Sequence, residues 1–222
     1  MLTVLQVAVL GSQAIYDSSS LWDALFTGPD YADSYVGVQV RPQDRAVVVA
    51  FRGSTTPEDF FKDLEAAIPD DEAELGMVAH GFFEGTKALY AKIAPLIPAG
   101  YLLIITGHSL GAAQASDFAA FALARGTPVQ ACVLMGSPRP GLDTLNGWLR
   151  RVPSWYSFRN GSDLFARDPV PDVPNWGEHC RPLTALHEPP APADPWGRLI
   201  GWHHSELYLA GIAKLTLPPL VA

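Results

Sequence analysis

Tyr101-Leu-Leu-Ile-Ile-Thr-Gly-His-Ser-Leu-Gly-Ala-Ala-Gln-Ala-Ser-Asp-Phe-Ala-Ala-Phe121 decides how the rest of the chain is read. Tyr101–Thr106 is a short β-rich apolar run. The stretch from Ala112 carries small residues and reads as the start of a helix. Between them stands Gly107-His108-Ser109-Leu110-Gly111, a G-x-S-x-G pattern. By itself the pattern is weak, since ~0.1 matches are expected by chance in a chain of this composition. Its setting strengthens it. A serine on a tight strand-to-helix bend needs an unusual backbone and small neighbours, and Gly107, Gly111, Ala112 and Ala113 supply them. A helix starting beneath Ser109 would add partial positive charge where an oxyanion develops.

The flanking sequence repeats the alternation. Val36–Val40 and Ala46–Phe51, separated by Pro42-Gln-Asp-Arg45, read as a hairpin. Ala131–Met135 is a second unbroken apolar run, as expected for a strand covered on both faces, and Ser154–Arg159 alternates like a further strand. Gly81–Ile97 and Ala112–Arg125 are long and apolar enough to be covering helices. The expected fold is α/β, with a mostly parallel central sheet and helices on both faces. At 222 residues one domain spanning 1–222 is expected, large enough to bury roughly 70–75% of its unfolded surface. His187–Pro195 is read as a stiff loop.

Composition removes several classes of function. A net charge of −8 leaves no basic surface for nucleic acid. No apolar run approaches the ~20 residues of a membrane span. Met1–Gly11 is apolar, but the first basic residue is Arg41, so the stretch is expected to open the core rather than direct export, with a cytoplasmic location as the default. Two cysteines make no disulfide framework. Neither a P-loop nor G-x-G-x-x-G nor H-E-x-x-H occurs, so no metal and no cofactor is expected.

A serine becomes a nucleophile only when a base takes its proton and an acid orients that base. In hydrolases built on such an elbow, the order along the chain is Ser, acid, His. Asp163, Asp168 and Asp172 follow Ser109, and His179, His187, His203 and His204 come later. His80 and His108 precede the serine and are read as making local hydrogen bonds.

Four blocks in order resemble the class 3 (fungal-type) lipases of the α/β-hydrolase superfamily. They are Ala50-Phe-Arg-Gly-Ser54, Gly107–Gly111, Gly136-Ser-Pro-Arg-Pro-Gly141, and Asp168-Pro-Val-Pro-Asp-Val-Pro174 with His203-His-Ser-Glu-Leu-Tyr208. The resemblance implies Ser109 as nucleophile, Asp168 as the orienting acid, and the backbone N–H groups of Leu110 and Ser54 as the oxyanion hole. The family's H-x-x-x-x-Y spacing selects His203 as the base, with His204 as the alternate. The chain departs from the family at Phe61, where Trp is usual, at Leu142, where Asn is common, and at Ala112, where a second Gly follows the elbow.

Eight carboxylates and one lysine lie between Glu58 and Glu74, which is nearly the whole charge surplus. Thr56 and Pro57 can start a helix there, with Phe60, Phe61 and Leu64 on one apolar stripe. In related lipases this segment is a lid, and the same is expected here, with an equal case for a permanently packed helix. The expected function is carboxylic ester hydrolysis through an acyl-enzyme, on acylglycerols or short-to-medium-chain esters, with transient contact to a neutral lipid interface. Phospholipase A1 or feruloyl-type esterase activity, or an inactive relative acting as a binding module, are the alternatives.

Overall fold

The computed structural model describes residues 3–16, 21–31, 34–54, 67–163, 166–187 and 202–215. The flap segment carrying Phe60, Phe61 and Leu64 lies outside them, as does the loop after His187. The chain opens with helix α1 (Val4–Ala14), started by a reciprocal capping box between Thr3 and Gln6.

The sheet is built from β1 (Ala24–Phe26), β2 (Val36–Arg41), β3 (Ala46–Phe51), β6 (Leu102–His108), β7 (Ala131–Met135), β8 (Ser154–Asp163) and β10 (Thr184–Leu186), side by side in that order. The pairs β1–β2 and β2–β3 are antiparallel, and every pair from β3 to β10 is parallel. The short β9 (Ala166–Arg167) folds back on β8. A separate hairpin joins β4 (Pro69–Glu72) to β5 (Gly76–Ala79).

Because both faces are covered, alternate residues of one strand enter different cores. Val47, Val49 and Phe51 point into a cluster with Leu103, Ile105 and Phe118. That face is covered by α3 (Thr86–Ile93), α4 (Leu110–Ala124) and α5 (Asp143–Leu149). Ala46 and Val48 instead join Leu5 and Ala8 of α1 and Tyr208 and Ile212 of α6 (Ser205–Ala213). The expected mostly parallel sheet with helices on both faces is thus the observed one. None of the described helices is long and apolar enough to cross a membrane.

The helix expected over 81–97 is broken. A short α2 (His80–Phe83) stops before Gly85, and α3 begins after it. Gly85 sits at φ +79 against the backbone of Tyr31, where a Cβ would fall 2.6 Å from the Tyr31 carbonyl carbon. Apolar periodicity runs through this break because both segments face the same core.

Asp117 lies fully buried in α4, and neither carboxylate oxygen meets a hydrogen-bond partner among the described residues. Burial raises its pKa well above the usual carboxylate range, which favours the neutral acid over the carboxylate. A raised folded pKa gives stability that is lost as pH rises through it. Asp117→Leu, close in shape and with nothing to satisfy, is therefore expected to stabilise the protein by about 1–3 kcal/mol at pH 7. Denaturant unfolding of the two proteins checks this, and a less stable variant would refute it.

Candidate active site

Ser109 caps the N-terminus of α4 with φ 58 and ψ −132, a conformation that non-glycine residues rarely adopt. Its backbone is fixed by the bond from its N–H to the Met135 carbonyl at 2.9 Å, which ties the elbow to the end of β7. The bend is tight enough that a Cβ on Gly107 would lie 2.3 Å from the Gly111 carbonyl oxygen. Small residues are therefore required on both sides of the serine, as the sequence pattern implied. Leu110 opens the helix, so its N–H is one of the first-turn donors without an intrahelical partner. Ser54 follows the end of β3, the strand next to β6.

Asp168 and His203 come together from distant parts of the chain. His203 Nδ1 lies 2.6 Å from Asp168 Oδ2, both residues being buried. Oδ2 also accepts from the Tyr208 hydroxyl, and Oδ1 accepts from the Val170 N–H at 2.9 Å. Asp168 itself is held by donation of its N–H to the Asn160 carbonyl at 2.8 Å. Burial alone would raise the Asp168 pKa. The His203 ring and the donors from Tyr208 and Val170 outweigh it, and the carboxyl is held below its ordinary value. Because a carboxylate can only accept, Nδ1 carries a proton, and in the neutral ring Nε2 is the nitrogen that keeps its lone pair.

Gly136 is what lets this pair sit at the end of β7. It adopts φ +58, and a Cβ there would come 2.8 Å from His203 Cε1 and 3.0 Å from Asp168 Oδ2. The glycine of the G-S-P-R-x-G block thus makes the space in which acid and imidazole meet, and it directly follows Met135, whose carbonyl accepts the Ser109 N–H.

The remaining candidates lie elsewhere. His204 is the cap residue before α6, and it is His203 that bonds Asp168. Asp172 faces Arg159, Arg167 and Arg139 at 2.7, 3.0 and 3.7 Å. His179 turns to the Pro171 carbonyl at 2.8 Å, and burial lowers its pKa to about 4. His80 pairs with Asp70 on the surface. No cluster among the described residues is arranged to hold a metal ion.

Two features escape a reading by motif. Tyr208, quoted above only as a spacing marker for the histidine, binds the acid directly, and it also accepts from the Asn160 N–H at 3.1 Å. His108 does not bond locally. Its ring stacks on His203 with centroids 4.7 Å apart, and its Nε2 lies 2.8 Å from the His203 carbonyl oxygen. Beside the elbow, Ala67, Ala79, Phe82 and Ala113 form a small apolar cluster with Leu110 and Trp176.

The fold is shared with solved fungal lipases. The mono- and diacylglycerol lipase from Aspergillus oryzae superposes with a TM-score of 0.61 at 24% identity, over 78% of this chain and 65% of that one. The chain thus spans just under two-thirds of that enzyme's length. A Rhizomucor miehei lipase in complex with its propeptide gives 0.63 at 18% identity, over 87% and 68% of the two chains. The lipase from Rhizopus microsporus var. chinensis gives 0.63 at 20%, over 86% and 75%. No curated protein matches the chain. The family model described as Lipase (class 3) matches residues 48–178, a stretch that contains Ser54, Ser109 and Asp168 and ends before His203. With that match over more than half its length and the α/β-hydrolase architecture around the elbow, the chain belongs to the class 3 lipase family.

Proposed function

We propose that this protein hydrolyses carboxylic esters through an acyl-enzyme on Ser109. The observation that carries the reading is the buried 2.6 Å bond between His203 and Asp168, formed beside a serine held at positive φ. His203 Nε2 takes the Ser109 proton as Oγ attacks the ester carbonyl. The oxyanion is met by the N–H groups of Leu110 and Ser54 at the positive end of α4. Collapse expels the alcohol, which takes the proton back from His203. Water, deprotonated by the same ring, then releases the acid and restores Ser109. Asp168 holds the ring in the required tautomer throughout.

Acylglycerols or short-to-medium-chain esters are the substrate class this reading favours. The apolar cluster of Phe82, Leu110 and Trp176 offers a wall for an acyl chain at the elbow, and one similar structure is named a mono- and diacylglycerol lipase. Another belongs to work on interfacial activation in lipases. The flap with Phe60, Phe61 and Leu64 is assigned the corresponding role, contacting neutral lipid.

Labelling with a fluorophosphonate probe tests the chemistry. Ser109 is expected to be modified, and Ser109→Ala to lose both labelling and turnover. A folded wild-type protein that does not label would sink the enzyme reading and leave a binding module. A p-nitrophenyl ester series from acetate to palmitate then sets the chain length. A jump in rate as the substrate passes its aggregation threshold is expected if the flap moves, and a smooth saturation curve refutes that part.

A further inference from the structure

Behind the elbow, a chain of hydrogen bonds joins three segments that the proposed reaction needs in register. The Gly53 N–H donates to Tyr16 Oη at 3.0 Å. Tyr16 Oη lies 3.1 Å from His108 Nδ1, and His108 Nε2 lies 2.8 Å from the His203 carbonyl oxygen. A carbonyl only accepts, so His108 carries its proton on Nε2. Its Nδ1 then accepts, and the Tyr16 hydroxyl donates to it while accepting from Gly53. Every donor has one acceptor. The arrangement requires a neutral His108, and burial together with the neighbouring His203 lowers that ring's pKa to about 3.

The ends of this chain are informative. Gly53 immediately precedes Ser54, and a methyl on Gly53 would fall 2.5 Å from the His108 carbonyl oxygen and 2.9 Å from Tyr16 Oη. The other end is the backbone of His203, whose ring stacks on His108. The middle member, His108, is covalently joined to Ser109. Tyr16, just beyond α1, supplies the one hydroxyl that closes the chain.

We propose that Tyr16 and His108 are positioning residues for ester hydrolysis, holding the Ser54 loop and the His203 backbone in a single register around Ser109. This rests on the reading of Ser109, Asp168 and His203 given above. Neither residue transfers a proton in the proposed reaction. They fix where the oxyanion donor and the base stand relative to the serine, which matters most when charge develops on the substrate oxygen.

Tyr16→Phe is the test. The phenyl ring keeps its packing beside His108 (centroids 6.2 Å apart) and loses only the hydroxyl. On a soluble p-nitrophenyl ester, kcat is expected to fall about 10–100-fold with KM unchanged within about twofold. Inhibition by an alkyl boronic acid, which forms a tetrahedral adduct on the serine, should weaken by the same factor as kcat/KM. His108→Gln keeps a donor for the His203 carbonyl and is expected to retain more activity than His108→Ala. If Tyr16→Phe does not fold, His108→Gln with the same readouts decides. Wild-type kcat and boronate affinity in Tyr16→Phe would overturn the proposal, as would a loss carried wholly by KM. Wild-type labelling at Ser109 separates that result from failure of the esterase reading itself, under which the proposal falls too.

Discussion

Asp168→Asn is expected to lower kcat about 10⁴-fold, the loss that follows when the imidazole of a serine hydrolase is held in the wrong tautomer. All the partners of this carboxylate are donors: His203 Nδ1 and the Tyr208 hydroxyl at Oδ2, and the Val170 N–H at Oδ1. An asparagine offers one acceptor and one NH₂ group. With its oxygen kept at Val170, the amide faces His203 Nδ1 and forces that nitrogen to accept. The proton moves to Nε2, and the ring can no longer deprotonate Ser109. The Tyr208 hydroxyl, which donates to Oδ2 in the native chain, then faces the same NH₂ group and has no acceptor for its proton. Flipping the amide restores the tautomer and sets NH₂ against the Val170 N–H. Either way one buried donor is stranded, so a stability loss of about 1–3 kcal/mol accompanies the kinetic one. Steady-state kinetics with a soluble ester, and the rate of fluorophosphonate labelling, should fall together. Asp172→Asn is the control. Its carboxylate faces arginines rather than His203, and a loss under about tenfold is expected. If Asp172→Asn collapses kcat while Asp168→Asn stays active, the assignment of the acid is wrong.

How much of this was legible in the sequence depends on the range of the interaction. The elbow was readable because its demands are local. An apolar strand, small residues and a serine between glycines specify the bend over a dozen positions. The strands at 131–135 and 154–159 were readable for the same reason, although β8 runs on to Asp163. The β4 strand, Pro69-Asp-Asp-Glu72, was not. It has no apolar alternation and is defined by its pairing with β5. The capping box of Thr3 and Gln6 was a usable helix signal that apolarity alone obscured.

The site divides in the same way. Family spacing separated His203 from His204, and Asp168 from its reserves, where local chemistry left all of them open. Nothing local marks Tyr16 as a partner of His108, because they lie 92 positions apart and their contact is made only when α1 packs under the sheet. His108 was expected to bond locally, and it instead reaches a carbonyl 95 residues away. Asp117, by contrast, breaks a local rule without serving the chemistry described. A buried acid with no partner among the described residues is where stability is given up.

In acid the protein is expected to lose stability as pH falls from about 6.5 to 4, and one buried and one half-buried imidazole set that window. His108 is lowered from 6.5 to about 3 and His179 from 6.5 to about 4, in each case chiefly by burial. In this interval the unfolded chain binds protons that the folded one does not, so stability rises with pH across it and falls as pH drops. Each ring contributes up to about 1.4 kcal/mol per pH unit, or about 3 kcal/mol over the window. That is a large part of the 5–15 kcal/mol typical of a folded domain. Asp117, with its raised pKa, acts in the opposite sense and offsets part of the loss. Comparing slopes isolates one ring. His179→Gln keeps an N–H for the Pro171 carbonyl and cannot titrate. Urea unfolding between pH 4.5 and 6.5 should show a shallower dependence in the variant, by close to one proton. Coincident slopes would mean that folded His179 takes up its proton as readily as the unfolded chain does, and the prediction fails. His179 bonds the carbonyl three residues after Asp168 and His108 bonds the carbonyl of His203, so the cost of charging these desolvated rings falls on the segments that carry the acid and the base. Activity is then expected to decline over the same pH range as stability, with the hydrolytic site opening as part of the cooperative loss.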